Sequence, residues 1–104
     1  MRETIKYVQY GCGRMGVHLM EYALEKGAEL SAAFDHNAKR IGKDVGVLIG
    51  EKDIGIRVRN SCEFEDYIKS EKPDICVIAT RSLMKEVRES MMICAQNGVN
   101  AITT

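Results

Sequence analysis

Gly11-Cys12-Gly13-Arg14-Met15-Gly16 is the stretch that decides the fold of this 104-residue chain. It fits G-x-G-x-x-G, with strand-like residues before it, Ile5 to Tyr10, and helix-like residues after it, Val17 to Lys26, closed by Gly27. A strand, a glycine turn and a helix in this order form the cradle for a dinucleotide pyrophosphate. The first glycine permits a tight turn, the second lets the backbone approach phosphate, and the third lets the helix pack against the strand. All six residues are therefore candidates for cofactor binding.

A carboxylate ends the next predicted strand, Glu29 to Asp35. Asp35 lies 24 positions after Gly11, near the spacing expected of the acid that binds adenosine ribose hydroxyls. Strand, helix, strand and acid in this order indicate dinucleotide binding, with Asp35 and the adjoining His36 at the ribose. The alternative is a doubly wound fold whose glycine turn binds nothing and whose Asp35 only caps a loop.

The rest of the chain continues to alternate strands and helices. A continuous apolar run, Ile75 to Ala79, is typical of a parallel strand buried on both faces. The other predicted elements are a short helix at Asp44 to Ile49, a strand at Ile54 to Val58, a helix at Cys62 to Ser70, a helix after Ser82 and a strand from Val99. This pattern predicts the α/β class: a Rossmann-like, doubly wound, open parallel sheet of five strands in the order 3-2-1-4-5, with helices on both faces. Gln9 interrupts the apolar first strand and needs a buried hydrogen-bond partner.

Further candidate site residues follow the ends of the later strands, since ligands bind beyond the carboxyl ends of such sheets. Thr80 and Arg81 come directly after the fourth strand. Thr80 could reach the pyrophosphate or the nicotinamide ribose, or it could instead help Ser82 to cap the next helix. Thr103, with Thr104, is expected to line the nicotinamide end.

The choice between NAD and NADP depends on the charges around Asp35. A carboxylate there accepts ribose hydroxyls and repels a 2′-phosphate, which favours NAD(H). Arg14, His36, Lys39 and Arg40 could offset that repulsion and admit NADP(H), although a solvated loop face is the simpler interpretation of Lys39 and Arg40. NAD is thus the expected cofactor, with NADP possible.

Composition argues against several other classes of function. Lysine plus arginine equals aspartate plus glutamate at 15 each, which gives no electrostatic footprint for nucleic acid. No apolar run approaches the roughly 20 residues that cross a bilayer, and the N-terminus lacks a signal segment, so we expect a cytoplasmic location and no membrane partner. The four cysteines fit no common zinc spacing. The sequence shows no nucleophile–base pair and no paired carboxylates, so it indicates no catalytic residue.

Several stretches resemble the N-terminal domain of the dihydrodipicolinate reductase family. Gly13-Arg14-Met15-Gly16 is similar to that family's Gly-Arg-Met-Gly, although the family usually carries one more residue in the glycine turn. Gly42-Lys43-Asp44-Val45-Gly46 resembles its loop after the second strand, and Asn100 to Thr104 resembles its Thr-Thr turn at the nicotinamide. Three stretches look closer to the related 2,4-diaminopentanoate dehydrogenases: Tyr10 to Gly16, Glu25 to Glu29 and Ala79 to Met84.

This resemblance implies an NAD(P)-dependent oxidoreductase of amino-acid metabolism. Its reaction would transfer hydride to or from an imine or amine carbon of a small amino-acid-like substrate. In these families the substrate domain and its catalytic residues follow the fifth strand. The resemblance therefore implies that residues 1–104 are the cofactor domain of a longer enzyme, expected to be a homo-oligomer at full length. This chain alone is then expected to be inactive.

Two other functions remain open from the sequence. One is a stand-alone nucleotide-sensing module, and the other is a Rossmann-like domain that binds coenzyme A or another nucleotide. A ribose-binding acid at Asp35 favours an adenine dinucleotide over coenzyme A.

Overall fold

Five parallel strands form one sheet in the part of the chain that this computed structural model describes, residues 5–79 and 84–103. The elements in chain order are β1 (Lys6–Tyr10), α1 (Arg14–Glu25), β2 (Glu29–Asp35), α2 (Val45–Leu48), β3 (Val58–Asn60), α3 (Phe64–Glu71), β4 (Ile75–Ile78), α4 (Met84–Gln96) and β5 (Asn100–Thr103), with a 3-10 turn at Ser61–Glu63. The strand order is β3–β2–β1–β4–β5, and neighbouring strands pair in parallel. The predicted fold class and strand order are confirmed.

Helices cover both faces of the sheet. Successive strand residues point to opposite sides, so each face presents apolar side chains for helices to pack on. On one face, Phe64 and Ile68 of α3 pack into a core that α4 completes. On the other face, Met20 of α1 and Val45 of α2 pack against Tyr7 of β1. The central strand β1 is therefore buried from both sides, and its carboxyl end leads directly into the glycine turn.

The third strand starts later than the sequence predicts. The expected strand at Ile54 to Val58 is wrong, because the carboxylate of Asp44 accepts hydrogen bonds from the N–H groups of Ile54 and Gly55, each at 2.9 Å. Those two residues therefore form a loop around Asp44, and pairing with β2 begins at Val58, opposite Ala33. The apolar pattern of the loop resembles a strand, whereas its backbone partners are set by an acid ten positions earlier in the chain.

Candidate cofactor-binding site

The glycine turn joins β1 to α1 at the carboxyl edge of the sheet. Gly11 has a φ of 103°, in the left-handed region that glycine tolerates best, and its N–H donates to the Phe34 carbonyl at 2.8 Å. Gly16 lies so close to this turn that a Cβ on it would be 2.0 Å from the Gly11 carbonyl oxygen. The backbone itself therefore requires glycine at both positions, as predicted from their places in the motif.

Gln9 holds the turn from inside the sheet. Its side chain is fully buried. The Tyr7 hydroxyl donates to its Oε1, and its Nε2 donates to the Gly11 carbonyl at 2.9 Å. These contacts supply the partner that the sequence could not name, and they make Gln9 a positioning residue for the turn. In the sequence, this role is indicated by a polar residue inside a buried strand, separated from the glycine turn by Tyr10 alone.

The N-terminus of α1 is suited to bind an anion. Gly13 is the N-cap residue, no side chain caps it, and the first turn of α1 carries no acidic residue. The N–H groups of a helix's first turn lack partners within the helix, and the helix dipole favours negative charge there. Arg14, at the first helical position, is exposed. The turn can therefore donate to a phosphate group without displacing a capping side chain.

Asp35 lies beside this turn with its carboxylate surrounded by donors. The residue is only 3% exposed. Its Oδ1 accepts from the N–H groups of His36 and Asn37 at 2.7 and 3.0 Å. Its Oδ2 accepts from the Cys12 N–H at 2.8 Å and from Nη1 of Arg40 at 3.3 Å.

The charge state of Asp35 follows from that environment. Burial alone would raise the pKa of the carboxyl, but the three backbone N–H groups and the nearby Arg40 charge together hold it below its ordinary value. Asp35 is therefore ionised near neutral pH, and it ties the glycine turn to the end of β2.

Arg40 pairs with Asp35, in line with the less favoured of its two interpretations from the sequence. A solvated loop face was the simpler interpretation, yet its guanidinium pairs with Asp35, and the Arg40 side chain is 36% exposed. Its Nη2 also lies 3.6 Å from the position that a Cβ on Gly13 would take. The guanidinium thus lies between the carboxylate at the end of β2 and the glycine turn. Lys39, the adjacent residue, is exposed.

Cys12 is buried within the turn rather than presented to solvent. Its thiol contacts the Phe34 carbonyl at 3.6 Å. Burial, with a smaller contribution from the charge of Asp35, raises the pKa of Cys12 to about 12. This thiol is therefore neutral at physiological pH. The contact of Cys12 with Asp35 is made by its backbone N–H.

The remaining candidate site residues are exposed or lie outside the described residues. Met15 is exposed, and so is His36, whose Nδ1 lies 3.7 Å from Asp35 Oδ1. Thr103 is exposed at the end of β5, opposite Ile78 of β4 and on the same carboxyl edge as the turn. Thr80 and Arg81 lie outside the described residues.

Two further findings concern only the residues with described structure. Among them, no group of three or more histidine, cysteine, aspartate and glutamate side chains could hold a metal ion. Likewise, none of their helices combines the length and apolar character needed to cross a membrane.

Comparisons with known proteins agree with this geometry. The family model described as dihydrodipicolinate reductase, N-terminus, matches residues 5–104. A 4-hydroxy-tetrahydrodipicolinate reductase from Methanocaldococcus jannaschii is 33% identical over 92 residues, which cover 86% of this chain and 33% of that protein. The structure of an amine dehydrogenase from Mycobacterium smegmatis matches with a TM-score of 0.82 and 34% identity, over 95% of this chain and 29% of that one.

A more distant structure shares the fold alone. RSP, a Rex-family repressor solved in complex with beta-NADH, matches with a TM-score of 0.73 and 21% identity, over 96% of this chain and 45% of that one.

This chain spans about a third of the length of the reductase and the amine dehydrogenase. The match over residues 5–104 shows that the chain belongs to the dihydrodipicolinate reductase N-terminal family, the NAD(P)-binding domain of an oxidoreductase family.

Proposed function

We propose that this chain holds the nicotinamide dinucleotide of an oxidoreductase that transfers hydride to or from an imine or amine carbon of a small amino-acid-like substrate. The observation that carries the proposal is the glycine turn with an uncapped helix behind it. Gly13 has no side chain on the surface where a pyrophosphate would approach, and a guanidinium lies beside it. Open N–H donors, a glycine and a guanidinium at one turn together suit an anionic pyrophosphate.

The direction of the bound dinucleotide follows from the strand order. With its pyrophosphate on the turn, one half of the cofactor would extend toward Asp35 at the end of β2. The other half would extend toward β4 and β5, where Thr103 lies about 10 Å from β1, two strand spacings away. Asp35 and His36 then border the adenosine ribose, and Thr103 borders the nicotinamide. The nicotinamide supplies the hydride chemistry when bound, while the protein contributes binding and orientation.

The substrate class rests on the two relatives above 30% identity. One is named as a reductase of 4-hydroxy-tetrahydrodipicolinate and the other as an amine dehydrogenase. An amino-acid-like substrate that reacts at a carbon–nitrogen bond is consistent with both names. Because the chain spans about a third of each relative, we propose that it serves as the cofactor domain and that it turns over no substrate alone.

Calorimetric titration of the purified chain with NADH, NADPH and coenzyme A tests the cofactor assignment. We expect saturable binding of a dinucleotide and none of coenzyme A. Gly13→Val should keep the fold, because its new Cβ would make only ordinary contacts with Arg40, and it should weaken dinucleotide binding at least tenfold. Ala95→Val, at an exposed position of α4, is the matched control and should bind as the wild type does. Unchanged affinity in a folded Gly13→Val variant would contradict the phosphate assignment.

Turnover gives a separate test of the domain assignment. The chain should neither reduce dihydrodipicolinate nor oxidise 2,4-diaminopentanoate, followed by nicotinamide absorbance. Steady turnover of either compound by this chain would contradict the proposal that it acts only as a cofactor domain.

A further inference from the structure

The carboxylate of Asp35 has little capacity left for a ribose. A carboxylate offers about four acceptor positions, two on each oxygen. Backbone N–H groups occupy three of them, and the Arg40 guanidinium occupies the fourth. The three backbone donors belong to the turn and to the residues after β2, so they cannot leave without local unfolding. Only the position held by Arg40 can be released to a ligand.

Arg40 is free to change partners while its backbone stays in place. Its N–H donates to the Asn37 carbonyl at 2.9 Å, and the N–H of Gly42 donates to the Val58 carbonyl at 2.8 Å, which anchors the loop to β3. The Arg40 side chain, in contrast, is partly exposed and holds Asp35 through a single contact of 3.3 Å. Rotation of this side chain toward a ligand at the end of β2 therefore costs one partly solvated ion pair.

The exchange has opposite consequences for the two cofactors. A ribose hydroxyl of NAD(H) would have to replace Arg40 on Asp35, exchanging the ion pair with a guanidinium for a hydrogen bond from a neutral hydroxyl. The 2′-phosphate of NADP(H) would instead offer the guanidinium a doubly charged partner with matching bidentate geometry. Three backbone N–H groups still donate to Asp35 after Arg40 has moved, so the buried carboxylate keeps most of the hydrogen bonds that stabilise its charge.

We infer that Arg40 is the residue that selects the cofactor, and that it turns from Asp35 to the 2′-phosphate, so that the site favours NADP(H) over NAD(H). This inference rests on the proposed function, since it requires a dinucleotide on the glycine turn. Asp35 alone suggests NAD(H), and this inference replaces that expectation with NADP(H). In this role Asp35 is a positioning residue: it binds the backbone of the turn and holds the Arg40 guanidinium beside the site.

The test compares binding of NADPH and NADH to the wild type, Arg40→Gln and Lys39→Gln at one fixed salt concentration. Lys39→Gln removes the same charge from the adjacent, exposed position and serves as the matched control. We expect the wild type to prefer NADPH by about tenfold or more. Arg40→Gln should lower that preference by about tenfold or more, with NADH affinity unchanged or improved. Lys39→Gln should change the preference by less than about threefold.

Fragments locate the contact more sharply. Adenosine 2′,5′-bisphosphate should bind the wild type more tightly than 5′-AMP does, and Arg40→Gln should remove that advantage. Arg40→Lys keeps the charge but loses the planar fork, so it should lose part of the preference while retaining the wild-type melting temperature. This variant keeps the test decisive if Arg40→Gln does not fold.

Equal losses of NADPH and NADH in Arg40→Gln would overturn the inference, because Arg40 would then contact the shared pyrophosphate. An unchanged preference would overturn it as well. Failure of the wild type to bind either dinucleotide would instead overturn the proposed function itself, so the two failures are distinguishable.

Discussion

Replacing Asp35 with asparagine should destabilise the glycine turn while leaving its shape intact, because the two side chains have nearly the same volume. The carboxylate accepts two hydrogen bonds on each oxygen. Asparagine offers one acceptor oxygen and one donor amide, so it can serve only one of those two pairs. If its oxygen keeps the N–H groups of His36 and Asn37, its amide nitrogen faces the Cys12 N–H and Arg40, which are donors themselves.

The expected loss follows from those unpaired groups. Cys12 is buried, and a buried N–H without a partner costs about 1–3 kcal/mol. The partly exposed ion pair with Arg40 adds at most about 1 kcal/mol. We therefore expect the free energy of unfolding to fall by about 2–3 kcal/mol near neutral pH, with a decrease in melting temperature of roughly 10 °C or more.

The same loss should depend on pH in one direction. The pKa of Asp35 is lowered in the folded chain, so its stabilising contribution is present above the unfolded value of about 3.9 and disappears as the pH falls through the folded value. A protonated carboxyl resembles the asparagine amide in its hydrogen-bonding capacity. The wild type and Asp35→Asn should therefore converge in stability in strongly acidic solution.

Urea unfolding followed by circular dichroism at several pH values measures both effects. Asp53→Asn, at an exposed acid in a loop, is the control and should change the free energy of unfolding by less than about 0.5 kcal/mol. An Asp35→Asn variant as stable as the wild type near neutral pH would refute this reasoning. So would a stability difference that stays constant down to strongly acidic pH.

Two further substitutions and one labelling experiment test the turn and its surroundings. Gly16→Ala should lower the free energy of unfolding by about 2 kcal/mol or more, because its Cβ would lie 2.0 Å from the Gly11 carbonyl oxygen; a wild-type melting temperature would contradict that close packing. Gln9→Leu should cost about 2–4 kcal/mol in urea unfolding and should also weaken dinucleotide binding, since it releases the Gly11 carbonyl; full stability and affinity together would show that the turn needs no such support. A thiol reagent should label the exposed Cys62 in the native chain and spare Cys12 until unfolding; fast native labelling of Cys12 would contradict a pKa raised by burial.

The parts of the fold that the sequence predicted depend on local patterns. The second strand matches its predicted bounds, Glu29 to Asp35, because a run of apolar residues between a glycine and an acid needs no distant partner to be recognised. The glycine turn was likewise recognisable, because the conformation of Gly11 and the close approach of Gly16 restrict those positions to glycine. The strand order then followed from general rules for parallel sheets with helical crossovers.

The parts that the sequence did not predict depend on side chains that reach across loops. The third strand was misplaced because the carboxylate of Asp44 binds the backbone of Ile54 and Gly55. The sequence favours a solvated interpretation of Arg40 only slightly, because a long, flexible side chain has many possible partners, and only the folded loop brings it to Asp35. Composition and periodicity carry no information about either contact.

Backbone amide chemical shifts of the isotope-labelled chain, recorded during a titration with NADPH, test most directly whether the glycine turn binds a dinucleotide. The largest changes are expected at the N–H groups of Gly13, Arg14 and Met15, where the phosphates would accept hydrogen bonds at the start of α1. The exposed side of α3, represented by Lys69, should remain unchanged at the same ligand concentration. Changes centred on α3 or α4 with an unaffected glycine turn, or no saturable change at all, would contradict the assignment of this chain as a dinucleotide-binding domain.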